Sequence, residues 1–172
     1  QDTIWLTDVP VRDAVMSPNG KYVVYAKADN NLYIYKVDFK TEVAVTTDEN
    51  TEIFNGISDW LYEEEFGITQ GFYWSPDSKK IAYYRFDESK VKEYNMQMWG
   101  GLYPDDNKFK YPKAGETNST VDILIYDLAT QQTKQLDEGS ENDPYIPRIK
   151  WTKDANTLAL MRMNRWQNKM EL

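Results

Sequence analysis

Ser17-Pro18-Asn19-Gly20-Lys21 and Ser75-Pro76-Asp77-Ser78-Lys79 share one pattern, and the segments around them decide the fold. In both stretches a proline near the start and small polar residues after it favour a tight turn. The segments that follow the two turns are rich in β-branched and aromatic side chains, over residues 21–27 and 81–84. Such residues are enriched in strands. Each stretch therefore predicts a turn that leads into a strand.

Further strand candidates surround both turns. Around the first turn, residues 11–16, 21–27, 32–37 and 42–46 predict four short strands separated by turn signals. Such a series is typical of an antiparallel meander. The pattern returns around the second turn and, more weakly, later in the chain, over residues 72–74, 81–84, 122–128, 149–156 and 157–163.

The spacing of these repeats indicates a β-propeller. Pro18 precedes Tyr35 by 17 positions, whereas Pro76 precedes the equivalent Tyr126 by 50, so the second unit carries about 33 additional residues. The first unit carries about 14 additional residues by the same comparison. Without these additions each unit has about 44 positions, which is the length of a four-stranded propeller blade. The sequence therefore predicts an all-β fold, a partial β-propeller of about two and a half four-stranded antiparallel blades.

The same counts divide the chain into blades and insertions. We predict a blade over residues 1–52, a short acidic helix insertion over 53–67, a blade over 68–137 with a long arm insertion over 87–120, and a partial blade over 145–172. Because propellers close with 4–8 blades, we expect the chain to be a fragment of one larger propeller domain. Insertions on repeat scaffolds map to loops that often form the binding face.

The arm insertion contrasts with the blades in composition. Its aromatic and methionine residues exceed what one blade can bury, and exposed clusters of this kind usually mark an interface. The alternative is a loop that folds back on its own blade. The residues concerned are Met96, Met98, Trp99, Tyr103, Phe109 and Tyr111.

The acidic insertion contains the run Asp59-Trp60-Leu61-Tyr62-Glu63-Glu64-Glu65. Ser58 or Asp59 is a suitable N-cap for a short helix. Adjacent acids repel one another, and partial burial raises that cost unless a cation is present. On a helix, Glu64 and Glu65 would point about 100° apart and could hold one cation between them. The alternative is a solvated helix face with no ligand.

Composition excludes several classes of function. The chain has no His and no Cys, which excludes a Ser-His-Asp triad, cysteine nucleophiles, disulfides and the usual zinc sites. It also lacks the Gly-x-Ser-x-Gly motif of a serine hydrolase, so we expect no catalytic residue, no metal and no cofactor in this segment. With a net charge of −8 and no basic patch, nucleic acid is not an expected partner.

Two weaker signals remain. Asn118-Ser119-Thr120 fits a glycosylation acceptor, although such triplets often arise by chance. Arg162, Arg165 and Gln167 could contribute to a site beyond this segment, or could be structural charges and amides at strand ends.

Four stretches carry a resemblance to a known family. They are Gly56-Ile57-Ser58-Asp59-Trp60-Leu61-Tyr62-Glu63-Glu64-Glu65, Tyr73-Trp74-Ser75-Pro76, Tyr111-Pro112-Lys113-Ala114-Gly115-Glu116-Thr117-Asn118 and Asn164-Arg165-Trp166-Gln167-Asn168. Together they resemble the N-terminal β-propeller of the dipeptidyl peptidase IV family of serine exopeptidases. Because the family's mammalian propellers carry cysteines and this chain has none, it is more similar to a bacterial member.

The resemblance implies an eight-bladed propeller that caps a C-terminal α/β-hydrolase domain, which this chain does not include. It implies that Glu64 and Glu65 form a double-Glu motif that binds the free amino terminus of a substrate peptide, with Glu63 as a non-binding neighbour. Phe66 and Tyr62 are then candidates to line the substrate pocket. It also implies release of Xaa-Pro or Xaa-Ala dipeptides, a homodimer formed through the 87–120 arm, and a periplasmic, cell-surface or secreted location.

Two other functions compete with this one. A non-catalytic propeller that binds protein partners predicts that Glu64 and Glu65 are open to solvent, with no acidic pocket of the size of an amine. A glycosidase needs two carboxylates about 5–9.5 Å apart on opposite sides of one bond, and neighbouring acids on one short segment suit that geometry poorly.

Overall fold

The computed structural model describes residues 3–139 and 143–172, and within these ranges the chain forms strands and one helix. The elements follow one another as an almost purely antiparallel β-structure, which confirms the predicted fold class. They are β1 (Val11–Met16), β2 (Tyr22–Lys27), β3 (Leu32–Lys36), β4 (Thr41–Ala44), β5 (Ile53–Asn55), α1 (Trp60–Phe66), β6 (Phe72–Trp74), β7 (Lys80–Asp87), β8 (Glu93–Met98), β9 (Asp105–Lys110), β10 (Thr120–Asp127), β11 (Gln132–Gln135), β12 (Tyr145–Trp151), β13 (Leu158–Met163) and β14 (Met170–Glu171).

The first sheet is the predicted meander, with the order β1-β2-β3-β4. The two matching turns have the same hydrogen bonds. The Ser17 hydroxyl accepts from the backbone N–H of Tyr22 at 3.0 Å, and the Ser75 hydroxyl accepts from that of Lys80 at 2.9 Å. Because each serine closes its own turn, the repeat seen in the sequence is also a repeat in structure.

The second sheet has the order β11-β10-β7, and both β5 and β6 pair with the other edge of β7. The predicted insertion over 53–67 therefore needs correction, because residues 53–55 form β5 and pair with residues 85–87. The loop between β5 and β6 carries α1, and within it Ile57 and Gln70 form an isolated antiparallel bridge. Three residues are too few to show the alternation by which a strand is recognised in sequence.

The third sheet contains β12, β13 and the two-residue β14. The register of β12 against β13 shifts between Tyr145 and Arg148. At this irregularity, Ile146 donates its N–H to the Tyr62 hydroxyl at 2.9 Å and accepts a bond from the Tyr84 hydroxyl at 3.0 Å. Side chains of α1 and β7 thus bind both backbone groups of one fully buried residue.

Two hydrophobic clusters lie between successive sheets. Successive side chains of β7 point to opposite faces of the sheet, so β7 contributes to both clusters. Tyr83 packs toward the first sheet and Tyr84 toward the third. A tryptophan repeats the same contact at each junction: the Trp74 indole donates to the Val15 carbonyl at 3.1 Å, and the Trp151 indole donates to the Tyr73 carbonyl at 3.0 Å.

The arm leaves the second sheet at the end of β7 and returns at the start of β10. It contains the hairpin β8-β9, which pairs with none of the three sheets in the described part of the chain. Five of its large apolar side chains are exposed, namely Met96, Met98, Trp99, Leu102 and Tyr103. Among the described residues, α1 is too short and too polar to cross a membrane.

Candidate functional site

Helix α1 has a well-defined cap at each end. Asp59 is the N-cap, and its carboxylate accepts a 2.8 Å bond from the backbone N–H of Tyr62. Ser58, the other predicted cap, instead donates its hydroxyl to the Ile68 carbonyl. Gly67 ends the helix in the left-handed conformation, with φ 63°, and donates its N–H to the Glu63 carbonyl at 3.1 Å. The predicted short acidic helix is therefore confirmed, with Asp59 as its cap.

The loop that carries α1 is closed at its base by two glycines. Gly71 donates its N–H to the Gly56 carbonyl at 2.9 Å, and Gly56 donates to the Tyr84 carbonyl at 2.8 Å. Tyr84 in turn donates its N–H to the Gly71 carbonyl at 2.8 Å. These bonds fasten both ends of the loop to β7, so the helix starts and ends at a fixed place on the sheet.

The carboxylates of Glu63, Glu64 and Glu65 are all exposed. The side-chain carboxylates of Glu64 and Glu65 form no hydrogen bond or ion pair with any residue in 3–139 or 143–172. Both lie in the last turn of α1, which has no basic residue and where the helix dipole is negative. Two unpaired acids in this position destabilise the helix slightly, and a bound cation would remove that cost.

A cavity of about 410 Å³ opens beside Glu65. Phe66, one of the two candidate pocket residues, lines this cavity, whereas Glu64 is not part of its lining within the described ranges. Its walls are about equally polar and apolar, and they come from α1, from the segment after the arm hairpin and from the third sheet. The other lining residues are Trp60, Leu61, Tyr111, Pro112, Ala114, Tyr145 and Gln167.

Tyr62, the second expected pocket residue, lies in the core instead of at this cavity. Its side chain is only 2% exposed and contacts Phe86, with ring centroids 4.7 Å apart, in the cluster between the second and third sheets. The reason is its place on the buried face of α1, where its hydroxyl accepts the bond from Ile146. Tyr62 therefore holds the helix down and has no exposed surface for a ligand.

Two acids near the start of the helix are buried. Asp59 is 5% exposed, and burial raises its pKa, although bonds from the Ser119 hydroxyl and the Tyr62 N–H act in the opposite direction. Glu88 is 8% exposed, and burial together with the nearby Asp59 charge raises its pKa to about 7, while Lys110 acts in the opposite direction. Within the described residues, no group of three or more acids is placed to hold a metal ion.

The weaker sequence candidates have structural contacts. Asn118 is buried, and its side-chain amide donates to the Tyr145 hydroxyl at 3.1 Å, so the triplet beginning at Asn118 is poorly accessible to a glycan. Arg162 forms an ion pair with Glu171. Arg165 donates to the backbone carbonyl of residue 116 at 2.7 Å. Gln167 differs from both arginines, since it lines the cavity beside Glu65.

Sequence reasoning missed the contacts between α1 and the segment that returns from the arm. Trp60 lies against Tyr111, with ring centroids 4.3 Å apart, and Asp59 accepts a 2.6 Å bond from the Ser119 hydroxyl. The partners are about 50 and 60 positions apart, so no local pattern connects them. The available signal was the presence of Asp59, Trp60 and Tyr111 in two of the four quoted stretches, and Ser119 lies just outside them.

The chain is similar to dipeptidyl peptidases along almost its full length. A sequence model described as "Dipeptidyl peptidase IV (DPP IV) N-terminal region" matches residues 2–172. The probable dipeptidyl-aminopeptidase B of Talaromyces stipitatus is 33% identical over 91% of this chain, and that of Phaeosphaeria nodorum is 33% identical over 94%. This chain covers only 21% and 19% of those two proteins, respectively.

The fold is similar to that of a solved dipeptidyl peptidase. The crystal structure of Porphyromonas gingivalis dipeptidyl peptidase 4 superposes with a TM-score of 0.88 and 46% sequence identity. The match covers 96% of this chain and 24% of that protein. The blade repeats, the acidic helix and the family match all agree, and the chain belongs to the dipeptidyl peptidase IV N-terminal region family.

Proposed function

We propose that this chain supplies substrate recognition to a serine-type dipeptidyl peptidase that releases Xaa-Pro and Xaa-Ala dipeptides from the amino termini of peptides. In this proposal Glu64 and Glu65 bind the protonated terminal amine. An α/β-hydrolase domain in the C-terminal part of the same longer protein cleaves the peptide, and the 172-residue chain alone has no hydrolytic activity. The family match and the much greater length of the relatives support this division of tasks.

The observation that carries the proposal is that the Glu64 and Glu65 carboxylates have no partner among the described residues and lie in the last turn of a helix whose loop is fastened at its base. An ammonium group has three N–H donors, and each carboxylate can accept one or more of them in a charge-assisted bond. The cavity beside Glu65 offers the rest of the first residue a wall that is partly apolar, to which Phe66 contributes.

Amine binding at a fixed place explains why such an enzyme would release dipeptides. If the amine is held at one point and the nucleophile lies at another, their separation selects which peptide bond is cut. A peptide with a blocked amine leaves the two carboxylates without their partner when it covers them, and it is rejected for that reason.

The arm gives support to a second part of the proposal, a homodimer formed through residues 87–120. The hairpin β8-β9 is separate from the sheets and exposes Met96, Met98, Trp99, Leu102 and Tyr103. Monomeric soluble proteins rarely expose such clusters without a partner. The second copy would cover this surface.

The test is the double variant Glu64→Gln with Glu65→Gln in the full-length protein. We expect kcat/KM for Xaa-Pro substrates with a free amine to fall on the order of 100-fold, because two charge-assisted bonds to the ammonium are lost. The control is Glu63→Gln, which removes one charge from the same exposed helix surface and should leave kcat/KM within about 3-fold of the original value.

The proposal is contradicted if the double variant cleaves free-amine peptides as well as the unchanged protein does. It is also contradicted if peptides with an acetylated amino terminus are cleaved equally well. Release of dipeptides by the purified 172-residue chain would refute the division between recognition and catalysis.

A non-catalytic interaction module is the second candidate function, because the exposure of Glu64 and Glu65 is also what that function predicts. The two candidates differ in the ligand. The module predicts that a protein partner binds the arm or the acidic helix and that small amines do not compete. In the full-length protein, competition between a free-amine dipeptide and its acetylated form distinguishes them, since only amine recognition favours the free form.

A further inference from the structure

Asp59 is a buried acid without a cationic partner. It is 5% exposed, and none of the ion pairs within residues 3–139 and 143–172 includes it. Its two oxygens have different partners: one accepts from the Tyr62 N–H at 2.8 Å and the other from the Ser119 hydroxyl at 2.6 Å. The first bond caps α1, and the second joins that cap to the residue before β10.

The residue next to Ser119 acts at the other end of the helix. Asn118 donates its side-chain amide to the Tyr145 hydroxyl at 3.1 Å, and both residues are buried. The Tyr145 ring packs edge-on against Phe66, the last residue of α1, with centroids 5.6 Å apart. Ser119 thus binds the N-cap of the helix directly, and its neighbour Asn118 supports the last turn through Tyr145.

A helix of seven residues has little stability of its own, and its direction depends on tertiary contacts. Tyr62 anchors its middle through Ile146 and the aromatic core. The bonds of Gly56 and Gly71 fix the base of the loop, and Tyr62 holds the helix against the core. The contacts from residues 118 and 119 add restraint at the two ends of the helix itself. The direction of the Glu64 and Glu65 carboxylates therefore depends on residues 118 and 119, which are far away in the chain.

We propose that Asp59, Ser119 and Asn118 are positioning residues that hold α1 in the direction required for Glu64 and Glu65 to bind a peptide amine. This inference rests on the proposed function of those two acids. Asp59 acts through its hydrogen bonds and not through its charge. Asparagine at this position would keep both bonds, because its oxygen can accept from the Tyr62 N–H and its amide can donate to the Ser119 hydroxyl.

The experiment compares Asp59→Ala, Asp59→Asn and Ser119→Ala in the full-length protein, with free-amine Xaa-Pro substrates. We expect Asp59→Ala to raise KM about 10-fold or more with a smaller change in kcat, because the displaced carboxylates lose amine binding. Asp59→Asn should remain within about 3-fold, since Asn and Asp are equally good N-caps. Ser119→Ala should give an intermediate increase in KM.

Hydrogen exchange measures the helix directly. We expect Ser119→Ala and Asn118→Ala to speed amide exchange in residues 60–67 and to leave exchange in β7 unchanged. The matched control is Thr117→Ala, an exposed position on the same segment, which should change neither exchange nor KM. If Asp59→Ala does not fold, Ser119→Ala and Asn118→Ala decide the question in its place.

The result that overturns the inference is a folded Asp59→Ala or Ser119→Ala protein with unchanged KM and unchanged exchange in α1. An Asp59→Asn protein as impaired as Asp59→Ala also overturns it, because the charge would then be the active feature. Failure of the proposed function is distinguishable, since in that case the double Gln variant of Glu64 and Glu65 would keep full activity as well.

Discussion

The backbone N–H of Gly71 donates to the carbonyl of Gly56 at 2.9 Å, and this bond closes the base of the loop that presents α1. A Cβ atom on Gly71 would lie 3.0 Å from the carbonyl carbon and oxygen of Gly56. Gly56 has φ +69°, and a Cβ atom there would lie 2.6 Å from a methyl carbon of Leu32 and 2.9 Å from the ring of Phe72. The loop therefore depends on two residues without side chains.

Gly56→Ala should lower the free energy of unfolding by about 2–4 kcal/mol, because the new methyl group overlaps core side chains and the left-handed conformation disfavours alanine. Urea denaturation measures the change. Gly67→Ala is the control, since Gly67 has φ +63° but no atom within 4 Å of the added Cβ. It should cost only about 1 kcal/mol. Equal losses in the two variants would show that the contact with Leu32 and Phe72 does not matter.

Tyr62→Phe should lower the free energy of unfolding by about 1–3 kcal/mol, because the buried N–H of Ile146 loses its acceptor. Tyr84→Phe removes the donor to the carbonyl of the same residue and should cost less, since a carbonyl tolerates loss of a partner better than an N–H does. Thermal or urea unfolding gives both values. Tyr22→Phe is the control and should change the free energy of unfolding by less than about 0.5 kcal/mol. If Tyr22→Phe costs as much as Tyr62→Phe, the loss at Tyr62 does not come from its bond to Ile146.

Glu88→Gln should stabilise the protein at neutral and alkaline pH but not at acid pH. The pKa of Glu88 is raised from 4.5 to about 7 in the folded state. Between these two pH values the carboxyl loses its proton in the unfolded chain but keeps it in the folded protein. The free energy of unfolding therefore falls as pH rises through this range. Below about 4.5 the carboxyl is protonated in both states and the penalty is absent. Above about 7 the penalty is complete and amounts to about 1–3 kcal/mol.

The measurement is the stability difference between Glu88→Gln and the unchanged protein as a function of pH. It should grow between about pH 4.5 and 7 and then remain constant. Glu49→Gln, at an exposed position, controls for the loss of one negative charge. A difference that is the same at pH 4 and pH 8 would contradict the buried, proton-binding role of Glu88.

Replacing Trp99 and Leu102 by serine should abolish self-association of the full-length protein and leave its unfolding almost unchanged. These side chains are 70% and 94% exposed on the arm, so they add little to the stability of one copy. Sedimentation velocity measures the association state. Phe39→Ser, at a position 75% exposed outside the arm, is the control and should leave association intact. A double arm variant that still forms dimers would exclude this surface as the interface.

Much of the architecture was predictable because the relevant signals are local. Turn residues and strand residues repeat in order, and each turn closes on its own serine, so Ser17 and Ser75 reveal the blades without tertiary information. The helix is equally local, since Asp59 caps it and Gly67 ends it within nine residues. The strand β5 was not predicted because its three residues pair with β7, and that partner lies 32 positions further along the chain.

The sequence by itself determined the repeat, the two insertions and the presence of adjacent acids on a short helix, because all of these follow from neighbours along the chain. Only the tertiary structure decided how deeply each aromatic side chain of the helix is buried. Tyr62 and Phe66 are both aromatic and one turn apart, yet Tyr62 enters the core and Phe66 borders the cavity. The contacts that make this choice come from Ile146 and Ser119, 84 and 60 positions away from their partners, and no local pattern encodes contacts at such separations.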